Sequence, residues 1–327
     1  MSLCAIMLGA LFTFVELNGE NLFDCEHDEG KIDQEWMPES LRHWTRVRYW
    51  QKLNDIGKEI ISCGEIKTVE GAQVTPADVT WKLPDMVALC EVENDSVMHD
   101  LTKRSLLRNA GYEYLMTQSP DLRGIDVALL YSPFTFRLLR SYPLRVTPRG
   151  EMRPTRDILY ASGELVNGDT LHVFVLHAPS RYGGEKRTRP YRRIVAERLL
   201  QSVDSLRNIS ENPKIIVAGD FNDSADDEAL KFLCGQHLHN VSRDAKGKNG
   251  AKGSYKYQGK WESIDHVLVS DALLPHHRES SIHDAPFLLE EDEKYGGVKP
   301  HRNYNGMHYQ KGFSDHLPVV VRFSTDL

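Results

Sequence analysis

The sequence has few cysteines, and they are not arranged as a zinc site or a disulfide framework requires. Its five cysteines lie far apart in the chain: Cys4, Cys25, Cys63, Cys90 and Cys234. No Cys-x-x-Cys pair occurs, which argues against a structural zinc site, and an odd number of cysteines does not complete a disulfide framework. We therefore expect a functional site of this protein to use oxygen- and nitrogen-bearing side chains.

The sequence also has fewer basic than acidic residues. The 327 residues include 40 Lys and Arg against 47 Asp and Glu, so the net charge is -7 and the pI is about 6.1. This balance argues against a protein that holds long stretches of nucleic acid by bulk electrostatic attraction, although it is compatible with a local basic groove. With 40% hydrophobic and 27% charged residues, the composition is typical of a globular enzyme.

Beyond the N-terminus, the sequence lacks any apolar run long enough to span a membrane. The N-terminal run LCAIMLGALFTF lacks the basic residues that precede the apolar part of a signal peptide. We interpret residues 1–10 as the remnant of an export signal or as residues added ahead of the native start, with the first core strand beginning near Leu11. An export signal would place the protein in the periplasm or outside the cell, and without one we expect it in the cytoplasm.

No linker, internal repeat or low-complexity block interrupts residues 11–327, which predicts one domain. Hydrophobic patterning predicts strands at 11–18, 86–90, 113–117, 126–131, 134–140, 156–165, 170–176, 214–218, 264–269 and 318–323, and amphipathic helices at 44–61, 96–110, 188–207 and 225–234. Several strands follow one another without an intervening helix, so antiparallel pairs must occur in a mixed sheet. We expect an α/β fold with helices outside, and the long irregular stretches 236–262 and 286–313 are expected to form part of a site.

Polar and ionisable side chains recur where the predicted core strands begin or end. They are Asn18, Glu91, Asp126, His177, Asp220, Asn222, Asp265, Asp315 and His316. Taken singly, an Asp before a strand is typical of a turn or cap residue, and a His at a strand end is typical of a satisfied polar group. Burying so many ionisable groups near one core is costly without a shared partner, so their joint occurrence favours a functional site.

A divalent cation is the natural shared partner. When the two histidines and the acids expected to orient them are set aside, the other candidates all offer oxygen atoms: Asn18, Glu91, Asp220, Asn222 and Asp315. Such donors suit Mg²⁺, with Mn²⁺ or Ca²⁺ as substitutes, rather than zinc. The two histidines then take catalytic roles, and each has an acid that is expected to orient it: Asp126 for His177, and Asp265 for His316.

The segment AGDFNDS follows the apolar run KIIV, so Asp220 and Asn222 stand at the end of a predicted buried strand. Side chains two residues apart on an extended strand point to the same side. We therefore expect Asp220 and Asn222 to face a pocket together, with Phe221 pointing into the core between them.

The order of motifs resembles that of the endonuclease/exonuclease/phosphatase superfamily, which has the DNase I-like fold. The matching segments cover nearly the whole chain and read NGENLFD, LCEVEN, GIDVALLYS, LHAPSR, AGDFND, SIDHVLVS and SDHLPV. The segments YKYQGKWESID and YNGMHYQKGFSDH are similar to those of a bacterial branch whose members begin NxENLFD and carry GFSDH. The resemblance implies a four-layer α/β sandwich, in which two packed mixed β-sheets are flanked by helices.

The resemblance also implies a role for each matching residue. Asn18 and Glu91 would hold the catalytic cation, with Asp315 near it. Asp220 would orient or deprotonate the attacking water, and Asn222 would bind the scissile phosphate.

The histidines complete the implied set. His316, oriented by Asp265, would stabilise the transition state or donate a proton, and His177 would bind a phosphate oxygen or protonate the leaving group. Many relatives carry Asn just before this histidine, where the present chain has Leu176. Because Leu176 continues an apolar strand, we expect it to be buried and the departure to have mild consequences.

Substrate contacts are predicted from basic and aromatic residues. The segment SRYGGEKRTRPYRR contains six basic residues that could hold further phosphates, and Arg181 is the one expected to face the site. The alternative is a solvated loop and helix start. Tyr255 is expected to stack on a base or sugar, as are the other aromatic residues of the long loops, namely Tyr257, Trp261, Tyr304 and Tyr309. The alternative is that these rings pack their own loops.

Three functions stay open at this point. The first is a Mg²⁺-dependent nuclease or phosphodiesterase, expected to be monomeric, in which water attacks phosphorus in line. The second is a phosphatase or phosphodiesterase that acts on a small molecule or lipid, such as a phosphoinositide, sphingomyelin or a nucleotide. The third is a non-catalytic binding module, which is disfavoured because no member of the implied catalytic set is missing.

Overall fold

Two large mixed sheets of six strands each form the centre of the protein. The structure is a computed structural model that describes residues 11–67 and 79–327. In chain order its strands are β1 (Leu11–Leu22), β2 (Glu65–Lys67), β3 (Val79–Trp81), β4 (Met86–Val92), β5 (Glu113–Met116), β6 (Asp126–Tyr131), β7 (Phe136–Leu144), β8 (Ile158–Leu165), β9 (Thr170–His177), β10 (Lys214–Asp220), β11 (Leu238–Asn240), β12 (Tyr255–Tyr257), β13 (Lys260–Glu262), β14 (Asp265–Ser270), β15 (His277–Ile282), β16 (Leu289–Glu291), β17 (Val298–Pro300), β18 (Tyr304–Asn305), β19 (His308–Tyr309) and β20 (Val319–Ser324). The α-helices are α1 (Arg46–Ser62), α2 (Asp95–His99), α3 (Glu185–Arg207) and α4 (Glu228–Cys234).

The two sheets have the same internal plan. The first has the strand order β15–β20–β1–β4–β6–β5, and the second has the order β11–β14–β10–β9–β8–β7. One central pair in each sheet is parallel, β1 with β4 and β9 with β10, while their other neighbours are antiparallel. The mixed sheets expected from consecutive strands are thus confirmed. A hydrogen bond from Asn18 to Asp220 shows that the carboxyl ends of the two parallel pairs meet.

Alternate residues of β1 face different layers, as the pleat of a strand requires. Phe14 belongs to the inner core between the sheets, together with Ala218 of the second sheet. Val15 and Leu17 belong to an outer core on the other face of the first sheet. Each fully buried apolar side chain of this kind contributes roughly 1.5–3 kcal/mol to stability. Glu16 lies between these apolar residues and is itself fully buried.

Helices cover the outer face of each sheet. α1 places Leu53, Ile56 and Ile60 against the first sheet, at the spacing of three and four residues that aligns side chains on one helix face. α3 places Leu199 against the second sheet, in the outer core that contains Leu176. The four-layer sandwich is therefore confirmed, and Leu176 is buried as expected.

The stretch 96–110, predicted as one helix, is divided into three pieces. α2 begins after Asn94, whose side chain caps it by accepting a hydrogen bond from the Val97 N–H. A wider π-helical turn follows at Asp100–Arg104, and a 3₁₀ turn covers Leu106–Asn109. The extended backbone of Ser105 separates these two turns, so the amphipathic spacing continues while the helix does not.

Both long stretches that were predicted to be irregular contain short hairpins. β12 pairs with β13 in the first stretch, and β16 with β17 and β18 with β19 in the second. In the described ranges, none of the helices is both long and apolar enough to traverse a bilayer. The interpretation of residues 1–10 as an export remnant or an added start lies outside the described residues.

Glu59 of α1 is a buried acid that the sequence does not flag. It is fully buried, and neither of its carboxyl oxygens has a hydrogen-bond partner among the described residues. Burial raises the pKa of Glu59 from 4.5 to about 8, against the opposing charge of Lys52. The folded protein therefore keeps a proton on Glu59 that the unfolded chain releases at lower pH.

Glu59 should make the protein less stable as the pH rises from 4.5 to about 8, because the unfolded state binds fewer protons in this window. The Glu59→Gln variant keeps the shape of the neutral acid and lacks the titration. We expect the free energy of unfolding of the variant, relative to wild type, to rise by roughly 1 kcal/mol per pH unit across the window. Urea unfolding of both proteins at several pH values measures this, and parallel pH dependences would contradict it.

Candidate active site

Asp220 lies at the centre of the cluster formed by the strand ends. It is the last residue of β10 and only 2% exposed. Its Oδ2 accepts a hydrogen bond from Asn18 Nδ2 at 3.1 Å, and its Oδ1 accepts one from the Asn222 N–H at 2.8 Å. Burial, with the charge of Asp265, raises the pKa of Asp220 to about 7, while His316 opposes the rise. A carboxyl with such a pKa exchanges its proton near neutral pH, as a general base must.

The expected pair of Asp265 and His316 is confirmed as a hydrogen bond. Antiparallel pairing of β10 and β14 places Asp265 directly beside Asp220. Asp265 Oδ2 lies 2.7 Å from His316 Nδ1, so Nε2 is the ring nitrogen left for other contacts. Burial lowers the pKa of His316, but the charge and hydrogen bond of Asp265 outweigh it and raise the pKa well above 6.5. His316 is therefore an imidazolium near neutral pH.

His177 has the opposite protonation state. It ends β9, and its Nε2 lies 3.6 Å from Asp220 Oδ2 and 3.9 Å from Glu91 Oε1. Burial, reinforced by the positive charge of Arg156, lowers the pKa of His177 well below 6.5. The ring is therefore neutral, and its contacts with the two carboxylates are polar contacts rather than ion pairs.

The predicted pair of Asp126 and His177 is wrong. Asp126 accepts hydrogen bonds from the Thr117 hydroxyl at 2.5 Å and from the Ser119 N–H at 3.0 Å, and also from the Ser119 hydroxyl. His177 Nδ1 has no hydrogen-bond partner in the described part of the chain. Asp126 is the first residue of β6, beside the segment that follows β5, so its carboxylate satisfies that turn. The placement gives Asp126 a structural position rather than the predicted catalytic one.

Glu91 and Asn18, two of the predicted cation ligands, differ in how many of their side-chain polar atoms already have a hydrogen-bond partner. Glu91 Oε2 accepts a hydrogen bond from the Asn21 N–H at 2.9 Å, whereas Oε1 has only the His177 contact. Asn18 Oδ1 accepts from the Glu20 N–H at 2.9 Å, and its amide nitrogen is the one that bonds Asp220. Glu91 thus offers an accessible oxygen, while the hydrogen bonds of Asn18 orient Asp220.

Asp315, the third predicted ligand, forms an ion pair. Its Oδ2 lies 2.9 Å from Arg302 Nη2, and Arg302 Nε lies 3.5 Å from Glu20 Oε1. Glu20 also accepts a hydrogen bond from the Asn303 N–H at 2.6 Å. Burial, with the charge of Asp315, raises the pKa of Glu20 to about 7. These contacts tie the end of β1 to the 286–313 stretch beside the cluster.

The orientation expected for Asn222 is only partly right. The expectation required extended backbone, but β10 ends at Asp220 and Asn222 has a φ of 50°, in the left-handed region. Phe221 is buried as expected, with its ring edge against His266. Asn222 Nδ2 donates to the Ala178 carbonyl at 3.2 Å, so its amide is held by the segment that follows His177.

Arg181 and Tyr255, two of the residues predicted to bind substrate, differ in whether their side chains are already held by other residues. Arg181 donates from Nε to the Asn222 carbonyl at 2.8 Å and from Nη1 to Glu262 at 2.6 Å. Its guanidinium therefore fixes the Asn222 turn instead of pointing freely into the site. The Tyr255 ring lies 4.8 Å from the His316 ring, centroid to centroid, which places it at the edge of the cluster. Its contact with substrate stays a prediction.

Most of the other basic and aromatic candidates form the contacts of the alternative interpretations, whereas substrate contact by Lys186 and by Tyr257, which is 59% exposed, stays a prediction. The arginines of the 181–193 segment form ion pairs on or near α3, namely Arg187 with Glu151, Arg189 with Glu185, Arg192 with Asp223 and Arg193 with Glu197. Tyr304 and Tyr309 pack together, 5.4 Å apart, and Tyr304 also contacts Trp36 and Trp44. These rings hold the loop in place.

Sequence reasoning missed several residues that shape the cluster. Arg156 donates to the carbonyls of His177 at 3.2 Å and Ala178 at 2.7 Å, and it ion-pairs with Asp121 at 3.1 Å. Glu16 is buried without any hydrogen-bond partner in the described ranges, and burial, with the charges of Asp265 and Asp220, raises its pKa well above 4.5. A charged residue inside an apolar strand pattern, as in FTFVEL, was the available signal for Glu16.

The chain belongs to the Endonuclease/Exonuclease/phosphatase family, whose members hydrolyse phosphoesters. The family model matches residues 13–325, almost the full length. The resemblance noted from the motifs is thereby confirmed. A search of curated protein sequences finds no match.

Solved structures share the fold at low sequence identity. A mannosyl-6-phosphatase from Bacteroides thetaiotaomicron is 17% identical, with a TM-score of 0.60 over 95% of this chain and 98% of that one. The catalytic domain of human Nocturnin, which holds a sulfate anion, is 18% identical, with a TM-score of 0.56 over 96% and 94%. A truncated TDP2 from Caenorhabditis elegans is 14% identical, with a TM-score of 0.57 over 98% and 99%.

Asp265 should control the protonation of His316. In the Asp265→Asn variant the imidazole loses its charged partner, so we expect its pKa to fall from well above 6.5 to below that value, because burial then dominates. Nitrogen chemical shifts of the labelled imidazole across a pH titration measure this, with the signal of His177 as an internal reference. An unchanged His316 titration would contradict the assignment.

Proposed function

We propose that this protein is a divalent-metal-dependent phosphodiesterase that cleaves nucleic acid by attack of water on phosphorus. The observation that carries the proposal is the grouping of Asp220 with a neutral His177, 3.6 Å away, and with a protonated His316, since one ligand atom each of Asp220, Asp265 and His316 lie within 4.8 Å of one another. A carboxylate that accepts a proton near neutral pH, beside an imidazolium that can donate one, forms a general acid–base pair. Family membership supports the phosphoester class.

The donor set of the cluster fits a hard divalent cation. Glu91 has one carboxylate oxygen without a hydrogen-bond donor, at a depth where its side chain is 15% exposed. Mg²⁺ typically takes only one or two protein carboxylates and keeps several waters. Glu91 would hold the ion, with Asn18 and Asp315 nearby, and Mn²⁺ or Ca²⁺ would be substitutes. When bound, such an ion would neutralise charge that develops on the phosphate oxygens.

The chain's own residues divide the remaining work. Asp220, oriented by Asn18 and the Asn222 N–H, would hold the attacking water and take its proton. His316, held by Asp265, would donate a hydrogen bond or a proton from Nε2 to the phosphate. Asn222 would contact the phosphate from the turn that Arg181 fixes. The leaving oxygen needs a proton, which the His316 imidazolium would supply, and the neutral His177 would hydrogen-bond a phosphate oxygen.

The second candidate is a phosphatase or phosphodiesterase for a small phosphorylated molecule. The net charge of -7 favours this option, because a small substrate needs no extended cationic surface. The same acid–base pair would serve it, so the two candidates differ only outside the cluster. A panel of phosphomonoesters, phosphodiesters, single- and double-stranded DNA, RNA, inositol phosphates and sphingomyelin separates them.

Asp220→Asn should nearly abolish hydrolysis. The substitution keeps the size of the side chain and removes the base, which typically costs about 10²–10⁴ in rate. We expect kcat for bis-p-nitrophenyl phosphate to fall by that factor with the melting temperature preserved. The matched control is Asp326→Asn, which removes an exposed carboxylate beyond the far end of β20. Near-wild-type turnover by the Asp220 variant would overturn the proposed chemistry.

Glu91→Gln should remove the response to Mg²⁺, because it replaces the carboxylate that is proposed to hold the ion. Isothermal titration of the apoprotein with Mn²⁺ reports binding independently of catalysis, and we expect the variant to show no tight site. Glu93→Gln is the control, since burial raises the pKa of Glu93 to about 9 and this substitution therefore changes no charge near pH 7. Equal Mn²⁺ affinity in wild type and Glu91→Gln would exclude Glu91 as the ligand.

A further inference from the structure

An amphipathic groove lies beside the strand end that carries His177. Its volume is about 460 Å³, within the range that holds small ligands or a short chain segment. Residues 121–123, 151–156 and 179–191 contribute its walls. We call it the Arg153 groove after its least engaged cation. It does not contain the residues of the acid–base cluster, so nothing proposed above uses it.

Arg156 connects the Arg153 groove to the cluster. It is buried at the base of the groove, and its guanidinium bonds the carbonyls of His177 and Ala178. The charges of Arg156 and Arg123 both act on the His177 ring. A chain bound in the groove would therefore lie next to a phosphate held at Asp220.

The groove is positively charged although the protein is negatively charged overall. Among its lining residues, the arginines outnumber the acids: Arg123, Arg153, Arg156 and Arg187 stand against Asp121 and Glu151. Arg153 is exposed and has no ion pair or hydrogen bond among the described residues. Asp121 forms its close ion pair with Arg156, at 3.1 Å, and lies 3.8 Å from Arg123. The Arg123 guanidinium therefore keeps most of its N–H groups for binding an anion. The exposed pair of Arg187 and Glu151 contributes little to stability and can exchange partners.

Apolar and aromatic surface accompanies these cations. Tyr182 is 93% exposed, which is unusual for a ring of its size, and Leu122 is 44% exposed. Tyr182 precedes Gly183 and Gly184, both with positive φ, on the loop between β9 and α3. Met152 also lines the groove. A flat apolar group can thus be bound within reach of more than one arginine.

We propose that the Arg153 groove binds single-stranded nucleic acid that continues from the scissile phosphate. Arginines and an exposed aromatic ring in one groove suit the phosphates and the bases of such a strand. A small phosphomonoester would leave this second cationic surface unused. The inference rests on the proposed phosphodiesterase function and specifies its substrate class.

Binding of a fluorescent single-stranded oligonucleotide of about 12 nucleotides, measured by anisotropy in excess chelator, tests the proposal without catalysis. Tyr182→Ala should weaken binding by roughly 5- to 150-fold, the effect of losing one stacked base. Arg153→Ala should weaken it and reduce the slope of log affinity against log salt by about 0.7, the value for one lost single-strand phosphate contact. Arg140→Ala is the control, because Arg140 is an exposed, unpaired arginine in the described structure and lies on β7, lining a different pocket.

The inference is overturned if wild-type protein does not bind the oligonucleotide, or if both groove variants bind it as the Arg140 control does. Binding to phosphatidylserine vesicles in place of the oligonucleotide would also overturn it. Failure of the proposed function looks different, because hydrolysis of bis-p-nitrophenyl phosphate would then be absent while oligonucleotide binding still depended on Tyr182 and Arg153.

Discussion

The hydrogen bond between Asn18 and Asp220 joins the two halves of the molecule at the point where the chemistry is proposed. Asn18 lies on β1 in one sheet, at the last residue before the register with β4 shifts, and Asp220 ends β10 in the other. Burying Asp220 and Asp265 side by side is unfavourable unless their charges are compensated. His316 compensates them as an imidazolium, while the neighbouring Glu16 and Asp220 have pKa values raised by burial. The packing of two sheets therefore creates the electrostatic conditions of the site.

The two histidines show how one cavity assigns opposite roles to the same side chain. His316 has a carboxylate on its Nδ1 and becomes protonated, whereas His177 is close to Arg156 and stays neutral. Both rings are buried, which favours the neutral form, and only His316 has a charged partner that outweighs burial; Arg156, which donates to the carbonyls at the end of β9, reinforces the effect of burial on His177. The protonation state of each histidine is therefore set by its depth of burial and by the nearest charged side chain.

Contacts made by loops determine which residues surround the cluster of Asp220, His177 and His316. Glu20 accepts hydrogen bonds from the backbone of 303–304 and contacts Arg302, which also binds Asp315, so the late 286–313 stretch closes against the first strand. Next to the end of β9, the Arg153 groove combines four arginines, of which Arg153 has no partner among the described residues, with an exposed ring. The same acid–base chemistry would serve different phosphoesters, so we expect substrate choice to be determined at these two surfaces beside the cluster.

The sequence by itself determined that strands lie inside and helices outside, because alternation and helical spacing are local properties that burial enforces in any context, while the four-layer arrangement was implied by the family resemblance. It also determined the pairing of Asp265 with His316, through ordered motifs near strand ends. Only the tertiary structure decided that Asp126 serves a turn, that Asn222 adopts a left-handed backbone and that Arg181 is bound by Glu262. These outcomes depend on partners distant in sequence or on the residue at which a strand ends. Neither can be predicted from residue type or spacing. For the same reason Arg156 and Glu20 were missed, since each acquires its role from backbone groups that folding brings beside it.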